Sequence, residues 1–276
     1  MTPQQVQGDR PHTCCCHPLK CNGYISYIGC LEQLIVNQTL HIQSDYLWFL
    51  TLAYSMTIIF ANLFDARLIS IGGLITDAGT IIFPMTFLLS DLITEVYGYK
   101  YARRAIWCGF LFNLLFILYG QVVIHLPSPI FSTHNDLFAA LLALNIRIVA
   151  ASLISYLVSE PLNAIMMAKL KIKMKGKGMG YRLMLSTAAS SGLDSVLFGS
   201  LAFYGMISTF NLVILIATMW LIKISIEILG LPLSIFLAIR LKKIEKIDIY
   251  DVHTPFNLFL LETTYADSDN RYERVK

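Results

Sequence analysis

Seven ionisable residues stand inside long apolar stretches of this chain: Asp91, Glu95, Arg147, Glu160, Asp194, Lys223 and Glu227. On insertion scales a charge at the centre of a membrane helix costs about 2.5–3.5 kcal/mol. Each must therefore face a protein interior or a wet cavity and find a partner there. The set holds five carboxylates against two cations. Such an excess cannot stay fully ionised in a dry core. It either takes up protons or offers acceptors to a cation or to a ligand rich in N–H donors. Three pairs are four residues apart and share a helix face: Asp91 with Glu95, Ser190 with Asp194, and Lys223 with Glu227. Lys223 has two candidate partners, Glu227 on its own helix and Asp194 on another.

The elements that must position these residues are membrane spans. Hydrophobic residues make up 56% of the 276 and charged residues 14%. Soluble domains run at roughly 45–50% and about 25%. With a mean hydropathy of +0.62, this composition excludes a soluble domain, a disordered chain and a coiled coil. A helical span needs about 20 apolar residues, and six stretches qualify: 46–64, 80–97, 105–126, 146–168, 183–207 and 211–239. Gly230 and Pro232 predict a kink or an emergent end in the last. The apolar run 136–144 is too short to cross and reads as an interfacial or re-entrant piece. The expected architecture is all-α, a six-helix transmembrane domain over 46–240. A polar extension (1–45) precedes it and a polar tail (241–276) follows it.

Orientation follows from charge. The loops at 98–104 and 169–182 hold nine basic residues, while those near 65–79, 127–135 and 208–210 hold only Arg67. The positive-inside rule puts both termini in the cytoplasm. The net charge of +3 lies in these flanking clusters, so no nucleic-acid partner is expected; the partners are lipid and a small molecule. Asp91, Asp194 and Lys223 each fall about eleven or twelve residues into their spans, near the midplane. Spans 1–3 and 4–6 are thus compatible with two inverted halves around a central site. Ala53, Thr57 and Ala61 recur every fourth residue, as do Ser191, Ser195 and Gly199. Such ladders serve internal packing or a homodimer or partner-helix face, here through Ala53/Thr57/Ala61.

Other chemistries fare worse. Cys14, Cys15, Cys16, His17 and Cys21 include metal-capable types, but adjacent cysteines are not a zinc spacing. No metal or cofactor site is expected. Ala189-Ser190-Ser191-Gly192 faintly suggests a serine hydrolase, yet no histidine lies in a span after it to serve as base. The chain reads as a carrier, not an enzyme. No GxxxxGK[ST] loop occurs, so a role as the substrate-binding subunit of an energised importer would need a second chain for ATP.

Several segments resemble the queuosine precursor transporter family, also called the vitamin-uptake-like transporters. Phe83-Pro84-Met85-Thr86-Phe87 leads to Asp91, Glu95 and Val96-Tyr97-Gly98, then Ala102-Arg103-Arg104. Arg147-Ile148, Ala151-Ser152 and Tyr156 are similar to the family's fourth helix. Ser186-Thr187, Asp194-Ser195 and Phe198 are similar to its fifth, and Lys223, Glu227 and Pro232 to its sixth. The tail Asp248-Ile249-Tyr250-Asp251 with Phe256-Asn257 fits as well. Ser190-Ser191 and Glu160 depart from the glycine–amide and glutamine that members often carry. The resemblance covers about residues 46–257. It implies a fold similar to vitamin-importer substrate-binding subunits and import of 7-deazaguanines for queuosine synthesis. Asp91 and Asp194 would then accept the paired N–H donors of a guanine-like edge. Asn62, Asn113 or Arg147 would meet its acceptor side, and Phe83, Phe87, Tyr97 or Phe198 would offer faces for stacking. Glu95, Glu227, Ser190 and Ser191 complete the candidate set, with Lys223.

Overall fold

Polar side chains turned inward and large apolar ones turned outward are the reverse of a water-soluble protein, and that is how this chain folds. The computed structural model describes residues 39–40, 44–64, 67–71, 74–127, 129, 134–142 and 146–272. The Cys14–Cys21 cluster and the surface helix expected from Tyr24 lie outside the described residues. The elements below belong to one unit, Leu40–Lys276.

Among the described residues, eight α-helices follow one another: α1 (Leu47–Phe64), α2 (Gly79–Ile82), α3 (Pro84–Tyr97), α4 (Tyr99–Ile124), α5 (Asn135–Leu142), α6 (Ile146–Lys173), α7 (Met179–Phe203) and α8 (Thr209–Glu245). Five stretches of these residues are long and apolar enough to cross a membrane: Leu47–Phe64, Gly79–Tyr97, Tyr99–Ile124, Arg147–Lys173 and Thr209–Glu245. Together they make an all-α polytopic membrane protein. The fifth expected span, 183–207, falls on α7, which has the length at 25 residues, about 37 Å, but not the apolarity. It buries Ser186, Thr187, Ser190, Ser191, Asp194 and Ser195 instead. Exposed apolar side chains cover the outside, among them Phe112, Leu115 and Tyr119 on α4 and Leu221, Leu229 and Leu233 on α8.

Three boundaries differ from expectation. The second span breaks into α2 and α3 at Phe83, with Pro84 opening α3 at the position where its missing N–H costs nothing. Before it, 65–79 is no plain loop. Antiparallel strands β1 (Leu68–Ile71) and β2 (Leu74–Asp77) form a hairpin with Leu68 opposite Asp77, and β2 packs on α8. α4 begins six residues early and α6 runs on to Lys173. Lys100, Arg103, Arg104, Lys169, Lys171 and Lys173 therefore sit on helices rather than in loops. α8 continues through Gly230 and Pro232 to Glu245. Gly230 lies so near Leu88 that a Cβ there would come within 2.6 Å of Leu88 Cδ1.

The core joins Tyr54 and Ile58 of α1, Ile93 and Val96 of α3, Ile106 of α4 and Tyr156 of α6. The Ser191–Ser195–Gly199 ladder is used for internal packing: a Cβ on Gly199 would stand 2.5 Å from Ile216 of α8. On α1, Ala61 is buried within the protomer, while Ala53 and Thr57 are half-buried.

The segment after α8 caps the start of α4. Gly98 supplies no side chain there, so the first N–H groups need outside acceptors. Asp251 Oδ2 accepts from Tyr99 N at 2.9 Å. The Tyr265 hydroxyl accepts from Lys100 N at 2.8 Å and donates to Asp251 Oδ1 at 2.7 Å. Burial pushes the Asp251 carboxyl up from its ordinary value, against the lowering effect of these bonds. Arg103 donates to the Asn257 and Glu262 carbonyls, and Trp107 to that of Leu258.

Gly98 sits at φ 86° and ψ 172°, a region open almost only to glycine. A Cβ there would meet Tyr265 Oη at 2.5 Å. Gly98→Ala should cost about 1–3 kcal/mol, lower the thermal midpoint of the purified protein and open the tail to protease. An unchanged midpoint and digestion pattern would show that the tail seats without this glycine.

Candidate functional site

α7 is the polar spine of the interior. Arg182, Ser186, Ser190 and Asp194 recur every fourth residue on one face, and all are buried. Ser186 and Ser190 return their hydroxyls to the carbonyls one turn back, at 2.9 and 2.8 Å, so they add polarity without demanding a distant partner. The spine meets the other helices in three layers.

At the tail end, Glu95 of α3 is gripped by cations. Arg182 binds both its oxygens, at 2.8 and 3.1 Å. Lys242 reaches Oε1 at 2.6 Å, and Lys171 stands 4.0 Å away. Asp248 of the tail bridges Lys171 and Lys242 at 2.7 and 2.8 Å. Lys171 also donates to the Glu95 and Ile249 carbonyls. Arg182 also donates to the Lys177 and Gly176 carbonyls, and such additional hydrogen bonds are what make a buried ion cluster tolerable.

Among the described residues, the middle layer contains no cation. Asp91 accepts from Asn163 Nδ2 at 2.7 Å and from Thr187 Oγ1 at 3.3 Å. Asn163 in turn accepts from Ser190 at 3.2 Å. Glu160 Oε1 accepts from Thr86 at 2.9 Å, while its Oε2 has no partner. Glu227 has no hydrogen bond on either oxygen. All three carboxyl side chains are 0% exposed.

The third layer opens into a narrow cleft of about 20 Å³ toward the β-hairpin. Lys223 Nζ meets Asp194 Oδ2 at 2.5 Å and lies 4.6 Å over the Phe83 ring. Ser159 donates to Asp194 Oδ1 at 3.1 Å. Phe198, Met219, Ser152 and Ser155 line the rest, with Asp77 and Thr80 at the rim. Asp77 caps the start of α2 through Thr80 N and Oγ1, at 2.6 and 2.7 Å.

The expected residues therefore divide. Asp194, Lys223 and Phe83 line one pocket. Asn62 stands behind it, accepting from the pocket residue Ser152 at 2.6 Å, and Phe87 backs Phe83 edge-on at 5.6 Å. Asp91, Glu227 and Ser190 belong to the middle layer, and Ser191 is buried with an unpartnered hydroxyl. Asp91 and Asp194 do not share a depth. Asp91 is level with Thr187, seven residues or about 10 Å along α7 from Asp194. The reason is that α7 starts at Met179 rather than 183, and α3 begins only after the α2 break. Glu95 is tied into the cation cluster. Arg147 is exposed and donates to the Leu201 and Tyr204 carbonyls at the end of α7. Asn113 is buried on α4 with an unpartnered Oδ1. Lys223 resolves to Asp194 rather than Glu227.

Sequence reasoning missed Asn163, Ser159, Lys171, Arg182, Lys242 and Asp77. Lys171 and Arg182 are among the nine basic loop residues of the sequence reading, and Lys242 falls in its polar tail. Arg182 carried a signal, since it continues the Ser186–Ser190–Asp194 spacing by one turn.

The layers differ in what removing a charge should do. Glu95→Gln strands three cations and should cost about 3–5 kcal/mol. Glu227→Gln removes an unbonded buried carboxyl and should be neutral or stabilising. Thermal midpoints of the purified variants read the contrast, and equal losses would refute the layered assignment.

Comparison with known proteins follows this geometry. A family described as "Putative vitamin uptake transporter" matches residues 77–237, from the hairpin's Asp77 through most of α8. A relative from Bacillus subtilis (strain 168), "Probable queuosine precursor transporter", is 26% identical over 176 residues, 62% of this chain and 76% of the relative. No solved structure matches. The match takes in all three buried layers up to Leu237, and on its strength the chain belongs to the vitamin uptake transporter family.

Proposed function

We propose that this transporter imports queuosine precursors, 7-cyano- or 7-aminomethyl-7-deazaguanine, and binds them at the Asp194–Lys223 pocket. The observation that carries the reading is a carboxylate and an ammonium held 2.5 Å apart between aromatic side chains. A guanine edge runs acceptor, donor, donor. Asp194 offers two oxygens to the ring N–H and the exocyclic amine, and Lys223 offers a donor to the neighbouring carbonyl. Phe83 and Phe198 supply stacking surface worth roughly 1–3 kcal/mol per base. The relative's name points the same way. Asp194 leads over Asp91, because Asp194 lines the pocket and Asp91 lies in the middle layer behind it. Asn62 would steady the pocket wall through Ser152, and Phe87 would set the tilt of Phe83.

In this reading α7 also crosses, as the fifth of six spans, and both termini lie in the cytoplasm of a bacterial inner membrane. The basic residues at the tail ends of α4, α6 and α8 support that orientation. The hairpin pocket then faces outward, and the Glu95 cluster with the docked tail closes the inside. Substrate enters past β2, and release requires the two three-helix halves to rock about the middle layer.

The test is uptake in cells that neither make nor import 7-deazaguanines, with queuosine in tRNA read by a boronate gel shift. The parent chain should restore the shift at nanomolar precursor. Asp194→Asn and Lys223→Met should weaken uptake at least about tenfold, the scale of one lost charge-assisted bond. A parent chain that reaches the membrane and gives no shift overturns the substrate assignment.

A further inference from the structure

We propose that the middle layer is a proton-binding site, with the proton held on Glu227, and that opening the Asp194–Lys223 pair releases it. The inference uses the substrate pocket proposed above but not the identity of the substrate.

The charges lead to it. Among the described residues, the cations buried with the carboxylates are Lys171, Arg182, Lys223 and Lys242. Three of them surround Glu95, and the fourth holds Asp194. Asp91, Glu160 and Glu227 are left with none, though each lies within electrostatic range of the other two. Three mutually repelling anions in a dry interior cannot all persist. No group of three acidic or other metal-binding side chains among the described residues is placed to hold a metal ion, so the compensating cation is a proton.

Hydrogen bonds decide where it sits. Asp91 accepts two, from Asn163 and Thr187, and Glu160 accepts one, from Thr86. Glu227 accepts none and is fully buried. Ionised, it would be the least compensated of the three; protonated, it carries no charge to compensate. The other groups facing the layer do not compete for this role. From α1 and α6, Tyr54 and Tyr156 share a hydrogen bond of 2.8 Å, and Tyr156 also donates to the Ile106 carbonyl. From α4, Cys108 lies behind Tyr156. From α3 and α7 come the hydroxyls of Ser90 and Thr187. On α8 the nearest charge is Lys223, one turn from Glu227.

That last spacing supplies the link. Lys223 and Glu227 are four apart, a distance at which opposite charges on one helix pair. While Asp194 holds Lys223, Glu227 keeps its proton. When N–H donors of a ligand take the Asp194 oxygens, Lys223 keeps one N–H on the ligand's carbonyl and can turn another to Glu227. The O–H bond of Glu227 then breaks, the proton leaves to solvent, and an ion pair replaces the neutral acid.

Infrared spectroscopy of the purified protein at neutral pH tests this without any substrate. The parent should show a protonated-carboxyl band that shifts in deuterium oxide, and Glu227→Gln should lose it. Asp194→Asn frees Lys223 and should lose the band as well. The double variant Asp194→Asn/Lys223→Met, with no ammonium to take the place of the proton, should regain it. A parent without the band, or a band that survives Glu227→Gln, overturns the proton site. A band that survives Asp194→Asn overturns the link. Adding 7-cyano-7-deazaguanine to the parent in weak buffer should release a proton that a pH indicator detects. If that ligand neither binds nor releases a proton while the variant pattern holds, the substrate assignment fails and the proton site stands.

Discussion

A carboxylate removed from water must be met by a cation, by hydrogen-bond donors or by a proton, and the interior of this protein is organised by which of the three each carboxylate receives. Glu95 receives cations, Asp91 receives donors, and Asp194 receives both a lysine and a serine hydroxyl. In a water-soluble protein these differences would be softened by solvent. Between membrane helices they are not, because the desolvation cost of an unmatched ion is several kcal/mol. The three layers are three separate solutions to one constraint.

That constraint also explains the helix least suited to lipid. α7 is too polar to qualify as a span on composition, yet it touches every layer: Arg182 at the Glu95 cluster, Thr187 and Ser190 in the middle, Asp194 in the pocket. The apolar helices pay no such cost, and α4 and α8 turn broad hydrophobic faces outward. Close approach at Gly109, Gly199 and Gly230, where a Cβ would collide with Ile58, Ile216 or Leu88, brings the helices near enough for short polar side chains to bond across the interior.

The tail is part of the same design. Asp248 completes the cation cluster, and Asp251 with Tyr265 caps α4 across a glycine that has no side chain to do so. The segment that carries the motif Asp248-Ile249-Tyr250-Asp251 is thus held by the body it holds.

Composition and apolar runs were sufficient to establish a polytopic helical membrane protein. The cost of buried charge singled out Asp194, Lys223, Asp91 and Glu227, because a penalty of several kcal/mol is visible in one dimension. The pairings were not legible. Whether Lys223 meets Glu227 four residues away or Asp194 twenty-nine away depends on how far α7 and α8 slide past each other, and that offset is set by packing at Gly199 and Ile216. The α2–α3 break moved Asp91 about two turns out of register with Asp194, and no local propensity encodes a register between distant helices. Lys171, Arg182 and Lys242 looked like solvated flanking charge. Only the folded tail, with Asp248 at its start, shows why basic residues at the ends of three helices are buried rather than wet.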